Sequence, residues 1–234
     1  MQNAQIWKYD YASRCDCSDD DNCGCTSPGN MARSFVRADL APATICNNVS
    51  VGSRALNFSA PAVLADGTVS ESFNFFDYIA GNYALLIFYA ADFSAVCPKE
   101  ITAFDQACET LHGRGVKIAA VSVDSVSAHS AWRKLPFENG GIGQINFPLI
   151  SDLSKEISTK YGVLRADGMA QRATFLIDKN YTVRYQAVYD RKMERNVEET
   201  MRVVDKLIAL DEAECRGLEC LVRPNKSEVS AQFL

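Results

Sequence analysis

The sequence predicts an α/β fold: a central mixed β-sheet flanked by helices on both faces. Three observations carry this. ALLIFYA (84–90) and VKIAAVSVD (116–124) are continuous apolar runs, the pattern of strands buried on both faces. PKEITAFDQACETLH between them repeats apolar residues at Ile101, Phe104, Cys108 and Leu111, a helical stripe. Strand, helix, strand is a βαβ unit, which places the two strands side by side and parallel.

The other elements follow in chain order. Residues 1–51 lack a clear period and hold SDDDNCGCTSPGN and APATICNNVS, rich in turn formers, so they read as an extension with a cysteine cluster. From Gly52 the texture changes. ALNFSAPAVLADGTV reads as a hairpin turning at Asp66-Gly67. Beyond the βαβ unit, VSAHSAWRKL reads as a short helix ended by Pro136. ENGGIGQINFPLISD reads as a loop leading into a short strand, and LSKEISTKYG as a helix closed by Gly162. ATFLID and TVRYQAVY flank Lys179-Asn180-Tyr181 as a second hairpin. NVEETMRVVDKLIAL (196–210) sets Val197, Met201, Val204 and Ile208 on one helical face. The expected organisation is therefore an extension at 1–51, one domain at 52–212 and a tail at 213–234.

Composition narrows the function classes. A chain of 234 residues can bury a full core. The net charge of −5 and the lack of a basic stripe argue against a nucleic-acid surface. No apolar run is long enough to span a membrane. MQNAQIWKYDYASRCDC lacks the charged and apolar regions of an export signal, so a reducing, cytoplasmic setting is expected. There the nine cysteines are to be read as catalytic, metal-binding or buried thiols.

Cys97 is the position with chemistry. It stands at the start of the predicted helix, followed by Pro98, which has no amide hydrogen and a φ already helical. Unpaired backbone amides and the positive end of the helix dipole favour a thiolate there. Cysteine is often just a small buried hydrophobe. Cys108 on the apolar stripe and Cys46 read that way, whereas a core residue has no need of a helix start and flanking charges. A cysteine–histidine pair is the other option, but His112 lies at the far end of the same helix, roughly 22 Å along its axis. Nothing in the sequence positions His129. A disulfide oxidoreductase would want C-x-x-C, which Cys97 lacks.

FYAADFSAVCPKEI closely resembles the peroxidatic motif of the typical two-cysteine peroxiredoxins, the group that includes the peroxidase subunit of bacterial alkyl hydroperoxide reductase. VSVDSVSAHSAW, NGGIGQINFPLISD, YGVLRADGMAQRATFLID and NVEETMRVVDKL match in family order and spacing, so the resemblance runs from Gly52 to about Cys220. It implies a thioredoxin-like fold and a thiol peroxidase that reduces hydrogen peroxide and organic hydroperoxides. No haem, flavin or metal cofactor is required for that chemistry. Carried over, Cys97 would be the peroxidatic cysteine, oxidised to a sulfenic acid. Ser94 would hydrogen-bond the peroxide. Arg172 would stabilise the thiolate and the developing charge, and Glu100 would orient the arginine. Trp132 would pack nearby. Without the resemblance, Arg172 reads as a strand-edge arginine on the surface, Glu100 as a solvated acid in the first helical turn and Trp132 as core. The chain departs from the motif at Ala90, where the family has proline, and at Lys99, where it has threonine. Lys99 is then either solvated or turned toward the thiolate.

The resemblance also implies a resolving cysteine from the partner's C-terminal tail. The usual Val-Cys-Pro signature is missing here. GLECLVRPN fits the tail pattern best and points to Cys220, with Cys215 the runner-up or part of a relay. A homodimer is implied, and in the family often a ring of five dimers, with thioredoxin or a dedicated flavoprotein as the reductant. The same scaffold could also serve as a peroxide sensor or a redox-regulated holdase with little turnover. Cys15, Cys17, Cys23 and Cys25 lie outside the resemblance. Their C-x-C, gap, C-x-C spacing beside three aspartates could hold a divalent metal, though it is not the C-x₂-C of common zinc sites. A mobile tail or adventitious disulfides are the alternatives.

Overall fold

The computed structural model describes residues 49–190 and 193–215. β1 (Ser59–Val63) and β2 (Val69–Asn74) form the expected hairpin. Its turn is set by Asp66, whose carboxylate accepts from both the Thr68 amide and hydroxyl, and by Gly67 at φ +86°. A single turn of helix that the pattern did not announce, α1 (Phe75–Ile79), follows at once, capped by the Asn74 side chain. β3 (Tyr83–Phe88), α2 (Cys97–Gly113) and β4 (Val116–Ser122) are the βαβ unit, with β3 and β4 paired in parallel.

α3 (Val126–Lys134) is capped by the Ser125 hydroxyl and stops before Pro136, as its sequence requires. β5 (Leu149–Ser151) comes next. α4 covers only Glu156–Lys160, shorter than the periodicity of LSKEISTKYG suggests. The Asp152 carboxylate accepts from the Ile157 and Ser158 amides, and Lys155 takes the left-handed conformation at φ +63°, so the helix can begin only after it. β6 (Arg172–Ile177) and β7 (Val183–Tyr189) form the second hairpin.

α5 spans Val197–Cys215 and so crosses the boundary drawn at residue 213. Asp211 explains the extra turn: it accepts from Tyr83 Oη at 2.8 Å and from Arg184 Nη1 at 3.1 Å, which ties the last turns of α5 to the sheet.

Among the described residues the strands form one seven-stranded sheet in the order β2-β1-β5-β4-β3-β6-β7, with only the β3–β4 and β4–β5 pairs parallel. Period-2 alternation along β3 divides its side chains between two cores. Ala84, Leu86 and Phe88 face a cluster with Phe75, Ile79, Phe175 and Ile157, which covers α1 and α4. Tyr83, Leu85 and Ile87 face Ile101, Phe104, Cys108 and Leu111 of α2, Trp132 of α3, and Val204 and Leu207 of α5. Each of these large side chains, fully buried, contributes about 1.5–3 kcal/mol. The rigid second core fixes the N-terminus of α2 at the C-terminal end of β3.

α2 and α5 run side by side in the same direction. The Arg195 main chain, just before α5, meets Glu100 in the first turn of α2, while Arg114 at the end of α2 meets Asp205 at 2.6 Å. Cys97 and the end of α5 therefore lie at opposite ends of this helix pair. Among the described residues no helix is long and apolar enough to cross a membrane.

Candidate active site

The chain leaves β3 at Tyr89 and reaches α2 at Cys97. Phe93 within this loop takes φ +55°, a left-handed conformation uncommon for an aromatic residue. That kink brings the Ser94 hydroxyl to the Cys97 amide, from which it accepts at 3.3 Å. Ser94 thus satisfies one of the orphan donors at the start of α2, although the residue in the capping position is Val96. Cys97 is the first residue of the helix, followed by Pro98, as expected. Its side chain is fully buried against the second core, which the reading of Cys97 as a non-core residue did not foresee. Cys97 and Ile101 share one buried cluster with Leu85 and Ile87, so a helix start here is also a core position.

Beside it lies an arginine–carboxylate centre. Glu100 is 4% exposed, not the solvated first-turn acid that its sequence context suggests. Its Oε2 lies 3.4 Å from Arg172 Nε and 3.0 Å from Arg195 Nη2, and its Oε1 accepts the Arg195 amide at 2.9 Å. Arg172 opens β6, is 8% exposed and donates from Nη1 to the Met193 carbonyl at 3.2 Å. It is a buried strand residue rather than a surface one. Arg195 donates to the Ala173 carbonyl at 3.1 Å, and its guanidinium lies 5.7 Å from the Phe104 ring centre. Sequence reasoning missed Arg195, which sits in the charged stretch DRKMERN where nothing distinguishes it from its neighbours.

A cavity of about 490 Å³ opens above the helix start. Ala90, Ser94 and Val96 line it on one side; Met169, Gln171 and Arg172 line it on the other. Ser94 and Arg172 thus face one space, next to the Cys97 main chain. Lys99 is exposed, so its cation is solvated. Trp132 is fully buried, stacks on Tyr89 at 5.8 Å, lies 6.1 Å from Phe93 and donates to the Gly140 carbonyl at 2.9 Å.

The two histidines are engaged elsewhere. His112 Nε2 lies 3.6 Å from Cys108 Sγ, and His129 Nδ1 lies 2.8 Å from Asp92 Oδ2. Burial pushes the Cys108 thiol up to about 11, with the Asp105 charge second, as befits a packed cysteine. Cys15, Cys17, Cys23, Cys25, Cys46 and Cys220 lie outside the described residues. Cys215 ends α5, and only its backbone is described. Among the described residues no group of His, Cys, Asp and Glu could hold a metal ion.

Comparison with known proteins matches this arrangement. Residues 51–186 match the model of the AhpC/TSA family. The chain is 42% identical over 156 residues to alkyl hydroperoxide reductase C of Helicobacter pylori, covering 67% of this chain and 79% of that one. It is 38% identical over 177 residues to the chloroplastic 2-Cys peroxiredoxin BAS1 of Hordeum vulgare, covering 75% and 82%. Among solved structures, reduced 2-Cys peroxiredoxin of Plasmodium vivax superposes with a TM-score of 0.66 at 41% identity, covering 71% of this chain and 84% of that one. The mixed sheet and the thioredoxin-like fold are thus held in common, and the chain belongs to the AhpC/TSA family as a two-cysteine peroxiredoxin, a thiol-dependent peroxidase.

Proposed function

We propose that Cys97 is the peroxidatic thiol, that Ser94 and Arg172 hold the peroxide, and that Glu100 holds Arg172. One observation supports this above the others: Ser94 and the Glu100-braced Arg172 line the same cavity at the point where Cys97 opens α2. In the first step the Cys97 thiolate attacks one peroxide oxygen. The S–O bond forms as the O–O bond breaks, and the departing oxygen leaves as water or an alcohol after taking a proton. The Arg172 guanidinium faces the charge that moves onto the departing oxygen. The cavity is far larger than hydrogen peroxide, which supports organic hydroperoxides as substrates too.

In the second step a thiolate attacks the Cys97 sulfenic sulfur, an S–S bond forms and water leaves. Cys220 of a second subunit is the proposed partner, with Cys215 the runner-up. Helix geometry supports a partner from another chain. The 19 residues of α5 carry the backbone about 27 Å away from the end where Arg195 meets Glu100. The five residues from Cys215 to Cys220 span at most about 17 Å even fully extended. β7 is an edge strand with Val188 exposed, a surface suited to a homodimer; a ring of five dimers is the larger assembly proposed. A dithiol protein of the thioredoxin kind, or a flavoprotein disulfide reductase, would then restore both thiols, and a reducing cytoplasm would suit the cycle.

The test is peroxide consumption in the presence of a dithiol reductant. Cys97→Ser should abolish it. Wild-type turnover by that variant would remove Cys97 from the chemistry.

A further inference from the structure

The loop that carries Ser94 is fastened at Asp92, and the fastening runs to a histidine on a different helix. Asp92 is buried and accepts twice through its carboxylate: from Tyr89 Oη at Oδ1 (2.8 Å) and from His129 Nδ1 at Oδ2 (2.8 Å). Its main-chain amide donates to Asp124 Oδ2 at 2.9 Å, an oxygen that also accepts from the Ser122 hydroxyl at 2.7 Å. Burial, with the Asp92 charge second, raises the Tyr89 phenol well above its usual range, so Tyr89 remains an O–H donor. Facing a carboxylate oxygen, His129 Nδ1 is the donor of this pair. His129 Nε2 is buried and has no hydrogen-bond partner among the described residues. A fully buried histidine with one nitrogen idle is an expensive way to fill space. Its working nitrogen lies closest to the Asp92 carboxylate, two residues before Ser94, with Tyr89 Oη farther off at 3.4 Å.

We infer that His129 is a positioning residue for the peroxidatic site, acting through Asp92 to hold Ser94 against the Cys97 amide. The path is short and continuous. His129 and Tyr89 fix the Asp92 side chain, and Asp124 fixes its main chain. Phe93 then has to turn left-handed, and Ser94 lands 3.3 Å from the Cys97 N–H. The distance between Ser94 and the reacting sulfur is therefore set from α3, an element that does not line the cavity. This rests on the reading of Ser94 and Cys97 given above.

Two variants of His129 separate the donor from the volume. His129→Asn keeps an N–H close to the place of Nδ1 and loses ring volume, whereas His129→Phe keeps the ring and loses the donor. The readout is the second-order rate at which hydrogen peroxide consumes the Cys97 thiol, followed by the fluorescence of Trp132, which stacks on Tyr89. His129→Phe should lose about 10–100-fold, the scale of a misplaced catalytic group, while His129→Asn stays close to wild type. If activity follows ring volume instead, or if His129→Phe reacts at the wild-type rate, the inference fails while the peroxidase reading stands. Should His129→Phe not fold, Tyr89→Phe removes the other donor to Asp92 at almost constant volume; a loss of rate supports the positioning path and a wild-type rate overturns it. A wild-type protein inert toward peroxide would overturn both readings together.

Discussion

Arg195 closes on Glu100 twice, through its main-chain amide at 2.9 Å and its guanidinium at 3.0 Å, across 95 residues of sequence. The two contacts join the start of α5 to the first turn of α2. They also leave the second carboxylate oxygen shared between two guanidinium groups, those of Arg172 and Arg195. Glu100 is thus the counter-ion of a buried pair of cations, and the site depends on it for shape as well as for charge.

Glu100→Ala should therefore cost about 3–5 kcal/mol, the usual penalty when one member of a buried ionic cluster is removed. Urea unfolding of the reduced protein measures this. Peroxide turnover should fall as well, because Arg172 loses the group that aims it. A variant with wild-type stability would mean that the two arginines find water or another acceptor.

Disulfide formation offers a second test. Treatment with peroxide should give a dimer band on a non-reducing gel that disappears with reductant. Cys220→Ser should lose the band and Cys215→Ser should keep it. The reverse pattern would assign the resolving role to the end of α5.

Cys108 makes alkaline stability predictable. Its thiol is pushed up to about 11 by burial, against an ordinary value of 9.0. Between those values the unfolded chain has lost the proton and the native state still holds it. The stabilisation linked to this thiol is whole below pH 9 and is lost as the pH rises toward 11. The buried phenols of Tyr89, Tyr78 and Tyr161, all raised chiefly by desolvation, extend the fall above pH 10. Chemical denaturation across this range should show a shallower decline in Cys108→Ala, even though that variant starts less stable. An equal slope would assign the fall to the tyrosines alone.

Gly141 should tolerate no side chain. A Cβ there would lie 2.0 Å from the Leu135 carbonyl oxygen, a backbone atom that cannot swing aside. The segment around it is stitched to α3: Trp132 donates to the Gly140 carbonyl, and the Ile142 amide donates to Trp132. Gly141→Ala should cost about 1–3 kcal/mol, the range for overpacking, and should alter Trp132 fluorescence. An unchanged melting temperature would show that the loop can move as a unit.

The sheet is largely legible in the sequence, because ALLIFYA and VKIAAVSVD are buried on both faces and leave an unmistakable apolar signature. Cys97 and Pro98 were legible for the same local reason: a helix start has few suitable residues. Ser94, Arg172 and Glu100 were not. Their charge or hydroxyl gives no sign of burial, and only the resemblance singled them out. Arg195 and the Asp92–His129 pair were less visible still. They act across 95 and 37 residues, and no local period registers a hydrogen bond of that range. α1 and the last turn of α5 were missed for a related reason. The first is too short to show a 3.6-residue repeat, and the second is held by Tyr83 and Arg184 rather than by its own pattern.

If the resolving thiol comes from a second subunit as proposed, the parallel course of α2 and α5 would make turnover a matter of encounter. A lone copy should oxidise once and then stall, because its own tail starts from the wrong pole. Oxidation of Cys97 should thus be indifferent to dilution, whereas disulfide formation should slow as copies separate. Between the two steps the sulfenic acid would accumulate, and the protein would act at low concentration as a recorder of peroxide exposure and at high concentration as its scavenger.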